Sequence, residues 1–292
     1  MVKDQQRKKG SFPRILRLTV HNCVEHNVSR RAAALAYHFL FALFPMLIFV
    51  SNLLGVLNLD VRSITEAIRP FFPRDVVELI NAYLDYVASN SSQVLLWFSL
   101  VFTIWFPMRA VNGLMDDVRQ AYQLGKPKNP VFFAVRQFLF TLIFLLLIVV
   151  TFLLSTLGKH VVSSFTGWFS AEIPKIPAAL LTLWQFIRFV LAAVIMFAAL
   201  GLLYAAAQDK RSAAKRILPG VLLAMVGWLT ASIGFSMYVE NFGRYSVIYG
   251  TLGAVMVLLM WLYMTAFMLI LGAEWNGAAF AVRTEQTELE TV

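Results

Sequence analysis

The chain has 292 residues, 59% of them hydrophobic and 14% charged, with a formal charge of +9 and a mean hydropathy of +0.70. A soluble protein carries roughly 25% charged residues because its surface faces water. This composition excludes a soluble globular enzyme and a disordered chain, and it specifies an all-α membrane protein in which one helical bundle uses the whole length. Cys23 is the only cysteine, so an intrachain disulfide and a cysteine-based zinc site are excluded. The four histidines show no metal-ligand spacing, and neither a metal nor a cofactor is expected.

Taken in chain order, residues 1–31 form a basic arm. Within it, residues 11–30 place Ile15, Leu16, Thr19, Val20, Cys23 and Val24 on one helical face, which reads as an interfacial helix. Ser29 is positioned to cap the span that follows. The membrane domain, 32–280, reads as six spans. They run from Ala32 to Leu57, Val94 to Met108 (extendable to Leu114), Phe138 to Leu157, Ala179 to Ala207, Pro219 to Val239 and Tyr249 to Ala273. Each approaches the ~20 residues needed to cross ~30 Å of hydrocarbon. The first is too long for a signal peptide and reads as an uncleaved anchor.

Between the first two spans, Val76, Val77, Ile80, Tyr83, Leu84 and Val87 recur at helical spacing after Pro70 and Pro73. The expectation is one or two amphipathic helices capping the bundle on the extracytoplasmic side. A second outer loop, Gly158 to Pro177, is expected to lie along the interface. Residues 281–292 read as a short, acidic, disordered tail.

Lysine and arginine set the orientation. One side collects Lys3, Arg7, Lys8, Lys9, Arg14, Arg17, Arg30 and Arg31 from the arm. It also collects Arg109, Arg119, Lys126, Lys128, Arg136, Lys210, Arg211, Lys215, Arg216 and Arg283. The other side has Arg62, Arg69, Arg74, Lys159, Lys175 and Arg244, and Arg188 falls inside a span. This three-to-one bias puts both termini in the cytoplasm, with the anionic lipids of the inner leaflet as partner. No basic and aromatic platform suited to nucleic acid is present.

Three patterns inside the spans carry candidate sites. Gly220, Ala224, Gly227, Ala231 and Gly234 form a stripe of small residues, the signature of a close helix–helix seam. His38, Ala42, Pro45, Phe49 and Asn52 share a face of the first span, and polar groups at membrane depth face a bundle interior or a wet cavity. With Gln185 and Arg188 of the fourth span they outline a candidate substrate path. An isolated arginine at mid-membrane costs at least ~2.5–3.5 kcal/mol, which favours a shallow position for Arg188 near the outer leaflet. At the inner end, Arg109, Asn112 and Asp116 share a face, and Glu274 closes the sixth span at the same level. An Arg109–Glu274 or Arg119–Glu274 bridge is the expected latch. No nucleotide-binding loop, nucleophile elbow or paired mid-span carboxylates occur, so no enzymatic activity is expected.

Several segments resemble the YihY/BrkB family of bacterial membrane proteins. They are Ala32-Ala33-Ala34-Leu35-Ala36-Tyr37 followed by Leu43-Phe44-Pro45, Pro219-Gly220, Ile248-Tyr249-Gly250, Trp261-Leu262-Tyr263 and Leu271-Gly272-Ala273-Glu274. Order and spacing agree over roughly residues 12–280. The family often has a second tyrosine where this chain has His38, and Ala-Leu-Asn where it has Ala110-Val111-Asn112. The resemblance implies six spans with both ends cytoplasmic. Family labels include a ribonuclease, which fits this sequence poorly because no metal cluster or acid–base pair is present. They also include virulence and export of envelope precursors. The expected function is transport or flipping of an amphipathic envelope molecule, an anionic lipid or lipid-linked precursor, at the bacterial inner membrane. The alternative is a non-transporting scaffold for envelope assembly. Envelope proteins and a second copy of the chain are the protein partners considered.

Overall fold

A computed structural model of the chain describes residues 2–56, 69, 74–89, 93–147, 150, 178–208, 214–242 and 251–291. These residues form eight helices: α1 (Val2–Glu25), α2 (Val28–Val56), α3 (Arg74–Ser89), α4 (Gln93–Ala121), α5 (Pro130–Leu147), α6 (Ala178–Ala206), α7 (Ala214–Phe242) and α8 (Thr251–Thr291). No strand occurs among the described residues. Among the described residues, five stretches are long and apolar enough to cross a membrane: Val28–Phe49, Trp97–Ala121, Pro130–Leu147, Ile217–Val239 and Leu252–Gln286. The helix expected as the fourth span is α6, whose shorter apolar stretch is Ala193–Ala206. The loop 158–177 lies outside the described residues.

The chain's own punctuation sets the boundaries. Between α1 and α2, Asn27 adopts φ 52°, the left-handed region that asparagine tolerates better than most residues. Its Nδ2 donates to Glu25 O at 3.3 Å. Ser29 is therefore not the cap expected of it: it sits inside α2, its hydroxyl 2.7 Å from the Tyr263 hydroxyl. The third span starts at Pro130 rather than Phe138. Asn129 Oδ1 accepts from the Phe132 N–H at 3.1 Å, and proline at the first helical position loses no intrahelical bond. Nor does the helix end before an unstructured tail. α8 continues to Thr291, and Arg14 donates to both Glu285 oxygens at 2.7 and 2.8 Å, joining its end to α1.

At 41 residues, α8 is about 60 Å long, and it is the hub of the bundle. It packs on α7 most extensively, then on α2, α1, α4 and α3. Ile270, Ala273, Glu274, Asn276 and Ala278 are all at most 1% exposed, so this part of α8 is buried all round. Gly272 and Gly277 admit neighbouring backbones: a Cβ at Gly272 would meet Gly220 O on α7, and one at Gly277 would meet Ala121 O on α4. No larger residue fits at either crossing.

Two cores result. At the end of the bundle nearest α1, Leu35, Met115, Val118, Tyr204, Val221 and Ile270 pack together with residues of six helices. At the far end, Val76, Ile80 and Leu84 of α3 pack on Leu47, Phe235, Val239, Leu258 and Trp261. The amphipathic spacing in residues 76–84 thus buries its apolar face as the periodicity predicts. The face expected on α1 is split instead. Thr19 and Asn22 are buried and Cys23 half-buried, whereas Leu16, Val20 and Val24, with Phe12, form an exposed apolar line. The polar side turns inward because α1 packs on α8, and α8 presents a carboxylate there.

Candidate functional site

The residues with chemistry gather in one layer at the α1 end. Glu274, on the all-round buried turn of α8, is 1% exposed and cannot shed its charge into water. His26, in the turn between α1 and α2, places Nδ1 2.7 Å from Glu274 Oε1. The second carboxylate oxygen, Oε2, is buried without a hydrogen-bond partner. One turn below, Arg31 of α2 donates to Asp117 Oδ1 of α4 at 2.5 Å, to Gln120 Oε1, and through Nε to His26 O at 2.9 Å. These bonds tie α1, α2, α4 and α8 into one polar network. Cys23 sits beside it, and burial, then the Glu274 charge, pushes its thiol up to about 11.

The end of α6 is held by two arginines. Arg119, 4% exposed, donates to Ala207 O at 3.0 Å and Gly125 O at 2.6 Å, and Arg136 donates to Gln208 O at 3.2 Å. Carbonyls at a helix C-terminus have no intrahelical donors and lie at the negative end of the dipole, so cations serve them twice over. Both guanidiniums also lie over the Phe133 ring, at 5.2 and 5.1 Å from its centroid.

Asn276 repairs the start of α7. Pro219 lies inside that helix and disrupts its first bonds. The Asn276 amide accepts from the Gly220 N–H and donates to Ile217 O, both at 2.8 Å. Along the small-residue stripe, Gly220 and Ala224 lie against Gly272, and a Cβ at Gly227 would stand 3.0 Å from Met268 Sδ. Ala231 is half-buried, while Gly234 faces open space. Close approach is therefore confined to the first two turns of the stripe. Trp228 Nε1 donating to Thr265 Oγ1 at 3.0 Å holds the next.

The remaining candidates are scattered more widely. The bridge expected from Arg109 or Arg119 to Glu274 is corrected: His26 takes that carboxylate, Arg119 turns to the α6 carbonyls, and Arg109 is exposed over the Trp105 ring at 5.1 Å. Asp116 is exposed, whereas its neighbour Asp117 faces inward to Arg31. Asn112 is half-buried, with Oδ1 buried and unpartnered. On α2, which runs unbroken through Pro45, His38 is half-buried and its Nδ1 has no hydrogen-bond partner. Asn52 satisfies itself, donating to Ile48 O at 2.7 Å. Gln185 and Arg188 fall within α6, but their side chains lie outside the described residues. A pocket of about 270 Å3 opens between the end of α4 and α8, with Tyr122, Phe280 and Thr284 in its lining and none of the path residues.

Sequence reasoning missed His26, Arg31, Asp117, Arg136 and Asn276. A signal existed for the first: Thr19, Asn22, Cys23 and His26 recur at helical spacing, a polar stripe competing with the apolar one. Among the described residues no group of three or more histidine, cysteine or acidic side chains is placed to hold a metal ion.

The family model described as Virulence factor BrkB matches residues 19–291. The ribonuclease-like protein YfkH of Bacillus subtilis is 27% identical over 252 residues, covering 86% of this chain and 90% of that protein. A UPF0761 membrane protein of Alteromonas mediterranea is 23% identical over 272 residues, covering 89% and 87%. One from Pseudoalteromonas atlantica is 24% identical over 266 residues, covering 89% and 83%. No solved structure matches the chain.

Proposed function

The chain belongs to the BrkB family of membrane proteins, and on that premise we propose that it moves an amphipathic envelope molecule, an anionic lipid or lipid-linked precursor, across the bacterial inner membrane. The observation that carries this reading is His38. Its Nδ1 is buried without a partner within the span Val28–Phe49, and a native bundle rarely leaves such a group unsatisfied unless a ligand or water meets it. Pro45 and Asn52 continue its face, and Gln185 and Arg188 of α6 complete the path in this reading. α6 is the fourth of six spans, α1 lies in the cytoplasmic interface with Phe12, Leu16, Val20 and Val24 in lipid, and both termini are cytoplasmic, as the lysine and arginine bias supports. The mechanism needs no catalytic step.

A scaffold without transport is the second reading, favoured by the close-packed α7–α8 crossing at Gly220 and Gly272. Proteoliposomes carrying a fluorescent anionic lipid distinguish the two. Transport gives faster transbilayer movement with the protein than without it, and a loss on His38→Ala. If the full protein leaves the movement at the rate of empty vesicles, the scaffold takes its place.

A further inference from the structure

The outer flank of α4 carries an arrangement that the bundle itself does not use. Phe98, Phe102, Trp105, Arg109 and Asn112 fall on one face of the helix. The rings form a continuous ladder: Phe98 and Phe102 have centroids 4.3 Å apart, Phe102 and Phe106 5.5 Å, and Phe106 meets Phe41 of α2 at 5.4 Å. Phe98 and Trp105 are exposed. At the end of this ladder stands Arg109, exposed, roughly 12 Å along the axis from the Arg31–Asp117 pair at ~1.5 Å per residue. Among the described residues no carboxylate pairs with it. An arginine on the flank of a membrane span demands an anion, and the described residues give this one none.

Two further atoms belong to the same place. Asn112 Oδ1, one turn on, and His38 Nδ1, which feels the Arg109 charge, are both buried and without hydrogen-bond partners. Trp105 covers one face of the guanidinium, leaving its in-plane N–H donors free. The set offers donors for a phosphate, an acceptor for a hydroxyl and an apolar track. Arg109 to Phe98 spans about 16 Å at ~1.5 Å per residue, a track along which an acyl chain can lie.

We infer that this flank is a binding site for a glycerophospholipid with an anionic, hydroxyl-bearing headgroup, of the phosphatidylglycerol kind. The phosphate accepts from Arg109, the headgroup hydroxyl meets Asn112 and His38, and an acyl chain lies along the phenylalanine ladder. The site rests on the transport reading for its purpose, as the point where the lipid is taken from its leaflet, but its occupancy is measured without transport.

The test is native mass spectrometry of the full-length protein in mild detergent, titrated separately with phosphatidylglycerol and phosphatidylcholine. Wild type should retain phosphatidylglycerol at about tenfold lower concentration than phosphatidylcholine, which has the same phosphate but sets a quaternary ammonium beside Arg109 and offers no headgroup hydroxyl. Arg109→Gln and Trp105→Ala should each erase most of that difference, Arg109→Lys should keep part of it, and Arg30→Gln should leave it unchanged. Equal retention of the two lipids by wild type overturns the site. So does unchanged preference in both Arg109→Gln and Trp105→Ala, or a lipid-free dimer that Arg109→Gln dissociates. Selective binding without lipid movement in proteoliposomes would keep the site and remove the transport reading, and movement without selective binding would do the reverse.

Discussion

The two ends of the bundle are held by different physics. At the α1 end, directed bonds fix the helices: Glu274 to His26, Arg31 to Asp117, Arg119 to Ala207 O, and Asn276 to α7. At the far end, α3 is held by apolar side chains, Val76, Ile80 and Leu84 among them, against Leu258 and Trp261. A directed network has one low-energy arrangement, whereas an apolar contact tolerates sliding and repacking. The α1 end is therefore the fixed frame, and the far end is where the bundle is best able to rearrange.

The largest expected effect lies on the fixed frame. Gly220→Leu should abolish a monodisperse, heat-stable protein, because its side chain enters the backbone and amide of α8. Gly234→Leu, on the same stripe but facing open space, should leave the melting temperature unchanged. Equal behaviour of the two would dissolve the distinction between the halves of the stripe. Next comes Asn276→Ala, which strips partners from a buried N–H and a buried carbonyl; a loss of about 3 kcal/mol is expected from denaturant unfolding.

At the far end, Ile80→Ala should cost about 2 kcal/mol, with Ile80→Leu nearly neutral. If Ile80→Leu proved as damaging as Asn276→Ala, the contrast between repackable and directed ends would fail. The remaining effect is on chemical reactivity rather than stability. Only the thiolate of Cys23 reacts with a maleimide, and with its pKa raised to about 11 from 9.0, the native protein should label about a hundredfold more slowly at neutral pH than an ordinary thiol. The rate should climb as pH rises towards 11. Glu274→Gln removes one cause of the shift and should speed labelling at constant pH; an unchanged rate would place Cys23 out of reach of that carboxylate.

Much of this architecture could be read from the residues. Periodicity marked α3 from Val76 to Leu84, composition marked the long apolar helices, and Gly220 with Ala224 marked the α7–α8 crossing. These are local signals, written by one segment about itself. The candidate site was legible only in part. Glu274 and Arg119 stood out as charges at a span end, but the wrong partners were assigned. Choosing between Arg109, Arg119 and His26 depends on which faces meet, and α1 turned its polar side inward. Likewise Asp116 and Asp117 are indistinguishable by type, yet the 100° between successive residues exposes one and gives the other to Arg31.

By itself the sequence determined that this chain is a bundle of apolar helices, because lipid admits only helices and closed barrels and continuous apolar runs of about 20 residues are helical. It also marked Gly220 and Ala224 as a place where two helices can touch. Tertiary structure alone decided the pairings: His26 with Glu274, Arg31 with Asp117, two arginines on the end of α6, and Asn276 across the Pro219 turn. Each joins residues distant in the chain, and a buried charge takes whichever partner the packing brings within about 3 Å, a distance that no spacing along the sequence encodes.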